Sequence, residues 1–183
     1  MTRIHTPATL DAAPEASRGL LAAVGKQLGS VPNLFRMVSN SPAALEGYLG
    51  LSAALGKGAL PAATRERIAL AVAEANGCEY CLSAHTYLGK HVAKLSDAEM
   101  SANRNGASED PVADAAVRFA RQVLDQRGQV SDADVQAVRS AGYTDGQIVE
   151  IVQHVALNVW TNYVNNVART VVDFPVVTLS KAA

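Results

Sequence analysis

Apolar residues recur along this chain at intervals of three and four, the period of helices rather than strands. The segment from Ala13 to Leu28 predicts a first helix, broken by Gly29-Ser30-Val31-Pro32-Asn33. Pro42 suits the first turn of a second helix that reaches about Leu55, where Gly56-Lys57-Gly58 stops it. Pro61 opens a third, with Glu66, Ile68, Val72 and Ala75 at helical spacing, and Asn76-Gly77 ends it. The next begins at or just after Cys78, and Cys81, His85, Leu88, Val92 and Leu95 form one stripe along it. Further helices are predicted from Asp110-Pro111 to about Arg127 and from Ser131 to about Ser140. A long one starts at Thr144-Asp145. Ile148, Ile151, Val152, Val155, Val159, Tyr163, Val167 and Val171 read as its core-facing stripe. A helix of that length and apolarity, spanning about 145–172, suits a central core position or a subunit interface. The tail from Phe174 to Ala183 reads as irregular.

Composition agrees with an all-α chain. There are 33 alanines beside only 5% aromatic residues, and alanine favours helices while aromatic and β-branched residues favour strands. The 183 residues suffice for a single domain over 1–183 with a sizeable core and no disulfide staples, its thiol-bearing part at about 61–95. A net charge of −1 with scattered Lys and Arg offers no footprint for nucleic acid or an anionic membrane. The N-terminal residues lack an apolar run of signal length, and no stretch reaches the roughly 18 apolar residues of a membrane span. The expectation is a cytoplasmic protein. In that reducing compartment a Cys-x-x-Cys pair is more often catalytic or metal-binding than structural.

Against this background one stretch stands apart: Cys78-Glu79-Tyr80-Cys81-Leu82-Ser83-Ala84-His85, with Glu66 upstream. The chain has two cysteines, three positions apart, which chance placement would rarely produce. Helical geometry puts Cys81 and His85 on one face. A thiol attacks as the thiolate, so chemistry at neutral pH needs a lowered pKa or an adjacent base. Helix N-terminal amides favour ionised sulfur at Cys78 or Cys81, and His85 titrates in the range where protons must be exchanged. Glu66 would meet His85 if the two helices pack antiparallel across Gly77. The apolar face beyond His85 puts the thiols at the dry edge of the core. Two other readings stand beside redox chemistry: zinc bound by Cys78, Cys81, His85 and Glu66, and an inert buried pair. Structural zinc sites usually draw on more sulfur and on knuckle loops. Glu66 could also be a solvated partner of Arg65 or Arg67.

The pattern Glu66-(eleven residues)-Cys78-x-x-Cys81-x-x-x-His85, in the setting of Arg65 to Ala69 and Asn76-Gly77, resembles the core of the AhpD-like alkylhydroperoxidases of the carboxymuconolactone decarboxylase superfamily. Val31-Pro32-Asn33-Leu34-Phe35, His154-Val155-Ala156-Leu157-Asn158 and Asp173-Phe174-Pro175 resemble the peroxidase-related subgroup. The resemblance implies an AhpD-like helical fold and a thiol-dependent peroxidase. In it Cys81 meets the hydroperoxide, Cys78 resolves the oxidised sulfur, and Glu66 and His85 relay protons. It also implies trimers or hexamers and an external dithiol or lipoyl-type reductant, with no metal and no cofactor. No Gly-rich phosphate loop is present in the sequence. The best-known members carry a second histidine between the cysteines, where this chain has Tyr80. A phenol titrates far above neutral pH, so Tyr80 can donate a hydrogen bond but not act as an ordinary base.

Two other functions start from the same residues. The lactone decarboxylation that names the superfamily would not need a dithiol. A non-enzymatic redox sensor would oxidise once instead of turning over. A second polar set, His154, Asn158, Thr161, Asn162, Asn165 and Asn166, includes a line of four-residue spacings beside the long apolar stripe. It predicts buried amides bonded across helices or between subunits, since leaving one unpaired costs about 1–3 kcal/mol, with a part in the substrate pocket as the other reading. His91 reads as exposed, His5 as lying in a mobile N-terminus and Trp160 as packing.

Overall fold

Side-chain oxygens at helix starts set much of the architecture. Ser41, Ser96, Asp110, Ser131 and Thr144 each accept a backbone N–H of the following turn, the usual N-cap chemistry. Ser131 and Thr144 form full capping boxes with Asp134 and Gln147. The computed structural model describes residues 2–180. Among them it contains nine helices and no strand: α1 (Glu15–Leu28), α2 (Asn33–Val38), α3 (Pro42–Gly56), α4 (Ala62–Ala75), α5 (Glu79–His91), α6 (Asp97–Arg104), α7 (Pro111–Asp125), α8 (Asp132–Ser140) and α9 (Asp145–Ala168). The all-α expectation is met.

Helix α4 is the hub. Six consecutive residues, Ile68 to Ala73, are buried, so this helix is covered on all sides. Leu70 and Ala73 face one apolar cluster, which also holds both cysteines, Leu82, Leu21, Met37 and Leu45. Ile68 and Val72 face a second cluster with Phe119, Val123, Val138, Ile151 and Val155. Helices α5, α6, α7 and α9 pack around α4. No helix among the described residues is long and apolar enough to cross a membrane.

Several expectations are corrected. Two short helices, α2 and α6, escaped the periodicity. The first N–H groups of α2 are satisfied from far along the chain: Asn33 N–H donates to Asp173 Oδ2 at 2.7 Å and Leu34 N–H to Tyr80 Oη at 3.1 Å. Helix α6 did carry a local signal, Ser96 three residues before Glu99, and Ser96 Oγ accepts the Glu99 N–H at 3.0 Å. The stripe read through Val92 to Leu95 stops sooner. Helix α5 ends at His91, Val92 is exposed, and Leu95 is buried from a loop that turns at Lys94, where φ is 58°.

The long helix ends at Ala168, with Arg169 left-handed at φ 50°, short of the expected 172. Its burial pattern also differs from the expected stripe. Ile151 and Val155 are buried, but Val152, Tyr163, Val167 and Val171 are exposed. The inward face instead carries His154, Asn158, Thr161, Asn162 and Asn165. The N-terminal segment is fastened rather than free: Arg3 N–H donates to Ala168 O at 2.7 Å, and Asn40 Nδ2 to His5 O at 2.7 Å. His91 is exposed as expected.

The tail to Ser180 is irregular, as predicted, yet bonded along its length. Val177 N–H donates to Ser83 Oγ at 3.0 Å, Ser180 N–H to Glu74 Oε1 at 2.7 Å, and Arg104 to Thr178 O at 2.9 Å. Residues 181–183 of the predicted tail lie outside the described residues.

Candidate active site

The site is built at the turn between α4 and α5. Asn76 caps α4, and Gly77 takes the left-handed φ of 63° that glycine adopts without strain. Gly77 N–H returns to Glu74 O and Cys78 N–H to Ala73 O at 3.0–3.1 Å, which reverses the chain. Cys78 then becomes the N-cap of α5, its Sγ accepting the Cys81 N–H at 3.2 Å. Cys78 and Cys81 are joined as a disulfide with a Cα–Cα distance of 5.3 Å. Both are buried, at 0% and 3% exposure, so the thiols lie in the dry setting that the apolar stripe predicted.

The hairpin brings Glu66 and His85 together. His85 Nδ1 lies 2.8 Å from Glu66 Oε2, and about one fifth of each side chain (22% and 21%) remains exposed. Glu66 is not held between its sequence neighbours. Arg65 donates to Leu55 O at 2.9 Å and Arg67 to Glu99 Oε1 at 2.6 Å, so three consecutive side chains leave α4 in three directions. His85 follows Cys81 by one turn of α5. The hairpin therefore sets an imidazole–carboxylate pair one turn from a sulfur pair.

Tyr80 turns away from this chemistry. It is 5% exposed, its oxygen accepts the Leu34 N–H, and Phe174 meets its ring edge-on at 5.9 Å. Burial pushes its phenol above the ordinary value; the Asp173 carboxylate adds to this, while the Leu34 N–H works the other way. Tyr80 is a strut from α5 to α2 and the tail. Asp173 serves both ends, since it also takes the Asn33 N–H.

Five of the six polar residues on α9 lie inside, as the buried-amide reading expected: His154, Asn158, Thr161, Asn162 and Asn165; Asn166 is exposed, at the edge of the packed face. Asn76 Nδ2 donates to Asn162 Oδ1 at 2.9 Å, and Asn166 Nδ2 to Asn76 O at 3.0 Å. These bonds tie α9 to the C-terminal end of α4. Asn165 Nδ2 lies 3.4 Å from Cys81 Sγ, a contact that sequence reading did not single out because the four-residue spacing pointed to Asn166. His154 is buried, and its Nε2 has no partner among the described residues. Burial and then Arg65 push its pKa down to about 4, against Glu150 and Glu66, so it is neutral near pH 7.

Tyr48, absent from the sequence reading, stands near Glu66. Burial and then the Glu66 charge raise its phenol to about 12. It stacks on Trp160 at 5.3 Å, which gives Trp160 the packing role expected of it. A groove of about 360 Å³ between α3 and α9, walled by Tyr48, Leu51, Leu157 and Trp160, contains neither cysteine, nor Glu66, nor His85. No three His, Cys, Asp or Glu side chains among the described residues are grouped as a metal site.

Residues 42–126 match the carboxymuconolactone decarboxylase family. Across 94% of this chain and 92% of its own, a protein from Ralstonia eutropha JMP134 has the same fold, with a TM-score of 0.83 and 28% identity. That protein is described as an alkylhydroperoxidase AhpD core, an uncharacterized peroxidase-related protein. An uncharacterized peroxidase-related protein from Silicibacter sp. TM1040 aligns over 93% of this chain and 94% of its own, at 24% identity and a TM-score of 0.79. The debrominase Bmp8 shares the fold at 19% identity and a TM-score of 0.76, over 92% of this chain and 91% of its own. No curated protein sequence matches the chain.

Proposed function

We propose that this member of the carboxymuconolactone decarboxylase superfamily is a thiol-dependent peroxidase that reduces hydroperoxides through Cys81 and Cys78. The observation that carries the reading is the sulfur pair at the start of α5, one turn from the Glu66–His85 pair. Support also comes from the 28% identity to a peroxidase-related protein over nearly the whole chain.

In this mechanism the Cys81 thiolate attacks the terminal oxygen of the hydroperoxide. An S–O bond forms as the O–O bond breaks, sulfur gives up two electrons, and the alkoxide leaves with a proton from His85. Glu66 holds the imidazole through Nδ1 and stabilises its protonated form. Cys78 then attacks the sulfenic sulfur. An S–S bond forms, and the hydroxyl leaves as water. An external dithiol returns two electrons and two protons through thiol–disulfide exchange.

The test is turnover. The reduced protein should lose two thiols per chain with one equivalent of hydroperoxide, and should consume many equivalents when dithiothreitol or dihydrolipoamide is present. Cys78→Ser should trap a sulfenic acid at Cys81, whereas Cys81→Ser should react far more slowly. Consumption of one equivalent and no more would make the protein a sensor, and equal reactivity of the two variants would undo the assignment of roles.

A further inference from the structure

A thiolate at Cys81 has to be stabilised where water cannot reach it, because burial penalises the charged form. The first-turn amide that would ordinarily serve, the Cys81 N–H, is directed at Cys78 Sγ. Among the described residues one side chain supplies Cys81 Sγ with a donor, and it comes from another helix. Asn165, itself 2% exposed, places Nδ2 at 3.4 Å from that sulfur.

The orientation of this amide is fixed. Nδ2 also lies 2.9 Å from Thr161 O, a carbonyl that can only accept, so the end of the side chain facing Thr161 and Cys81 is the nitrogen. Its two hydrogens therefore have two addresses, one backbone carbonyl and one sulfur. The position of α9 is fixed as well. Asn76 bonds Asn162 and Asn166 on either side of Asn165, and Asn76 is two residues before Cys78. The turn that presents the cysteines is thus clamped to the helix that presents the donor.

Stability alone does not account for Asn165. Its Oδ1 is buried without a partner among the described residues, and an apolar side chain of similar size would leave nothing unsatisfied there. We infer that Asn165 is a catalytic residue that donates a hydrogen bond to Cys81 Sγ whenever that sulfur is anionic. In the proposed cycle this occurs twice: before attack on the hydroperoxide, and when reduction of the disulfide releases Cys81 again. Charge-assisted donation of this kind is stronger than donation to a neutral acceptor. Asn162 and Asn166 act as positioning residues through Asn76. The roles assigned to the thiolate rest on the peroxidase reading; the interaction with the sulfur does not.

The experiment measures the Cys81 thiol directly. In reduced full-length protein carrying Cys78→Ser, the rate of alkylation by iodoacetamide is followed against pH, with Asn165 intact or changed to Leu or Asp. Asn165→Leu should raise the apparent pKa by about one unit, a tenfold loss of thiolate at pH values below it. Asn165→Asp should raise it further, because a carboxylate replaces the donor. Rates of all three proteins should converge at high pH. Superimposable pH profiles would overturn the inference. Should the Leu variant fail to fold, Asn165→Ala, which removes the donor without adding charge, decides by the same criterion. Shifted profiles in a protein without peroxide turnover would uphold the donor and remove the peroxidase reading; turnover with unshifted profiles would do the reverse.

Discussion

Glu66, on α4, and Glu99, on α6 and bonded to α4 through Arg67, are both carboxylates, yet their surroundings could hardly differ more. Glu99, with 6% of its side chain exposed, accepts hydrogen bonds from Arg67, Asn103, Ser108 and the Glu109 N–H at 2.6–2.9 Å. Burial alone would raise its pKa. The bonds from Ser108, Asn103, Glu109 and Arg67 outweigh that and hold it near 2. Among the described residues Glu66 has one hydrogen-bond partner, His85, and it keeps about a fifth of its side chain in solvent. A carboxylate with four donors ties α4, α6 and the loop before α7 together, and those donors hold it in its charged form, so it is a poor acceptor for a proton. An under-coordinated one contributes little cohesion and remains chemically available. On the proposed reading, structural and working acids are told apart by how many partners each has been given.

Removing either member of the working pair should give the largest effect and should leave the fold alone. Glu66→Gln and His85→Gln are each expected to lower peroxide turnover by about 10²–10⁴-fold, the range of general acid–base catalysis, with melting temperatures close to wild type. The double variant should be little worse than either single one, as for groups acting as a unit. Full additivity, or loss of the fold in either single variant, would place Glu66 with Glu99 and dissolve the contrast.

Glu99→Gln should do the opposite. A folded-state pKa near 2 against an ordinary 4.5 corresponds to about 3 kcal/mol. Because the folded value is depressed, this stabilisation is fully present above pH 4.5 and is lost as pH falls through about 2. Denaturant unfolding across that range should show wild type and variant far apart at neutral pH and converging in acid, with peroxide turnover of the folded variant unchanged. A gap that does not depend on pH would mean that packing, and not the charge, is what Glu99 supplies.

Tyr80 lies between the cysteines in sequence but belongs with Glu99 in kind. Tyr80→Phe should cost about 1 kcal/mol through the lost bond to Leu34, and turnover should stay within twofold. A clear fall in turnover at constant stability would return Tyr80 to the proton pathway.

Much of this was legible because it is local. The hairpin could be read from Gly77 and from the distances of Glu66 and His85 to the cysteines, since a tight turn between two helices leaves little freedom in what faces what. Tyr80 was not legible in the same way. Its partners, Leu34 and Asp173, lie 46 and 93 positions away in sequence, and no period encodes them. Asn165 illustrates a subtler limit. Periodicity finds the faces of a helix but does not say which face is inside. On α9, Asn162 and Asn165 go inward, where Asn76 and Cys81 give them partners, and part of the apolar stripe is left outside.

Cys78 carries a consequence for how such a site persists over evolutionary time. It occupies the N-cap of α5 and performs that duty with a sulfur, although Ser, Thr, Asn and Asp are the residues preferred there. One substitution, Cys78→Ser, would keep the shape of the cap and improve its acceptor while ending the proposed dithiol cycle. On the proposed reading, selection for stability and selection for chemistry pull this codon in opposite directions, as happens where activity depends on a locally suboptimal residue. A lineage released from the need for the chemistry would be expected to lose this cysteine first, and to keep the helix it begins.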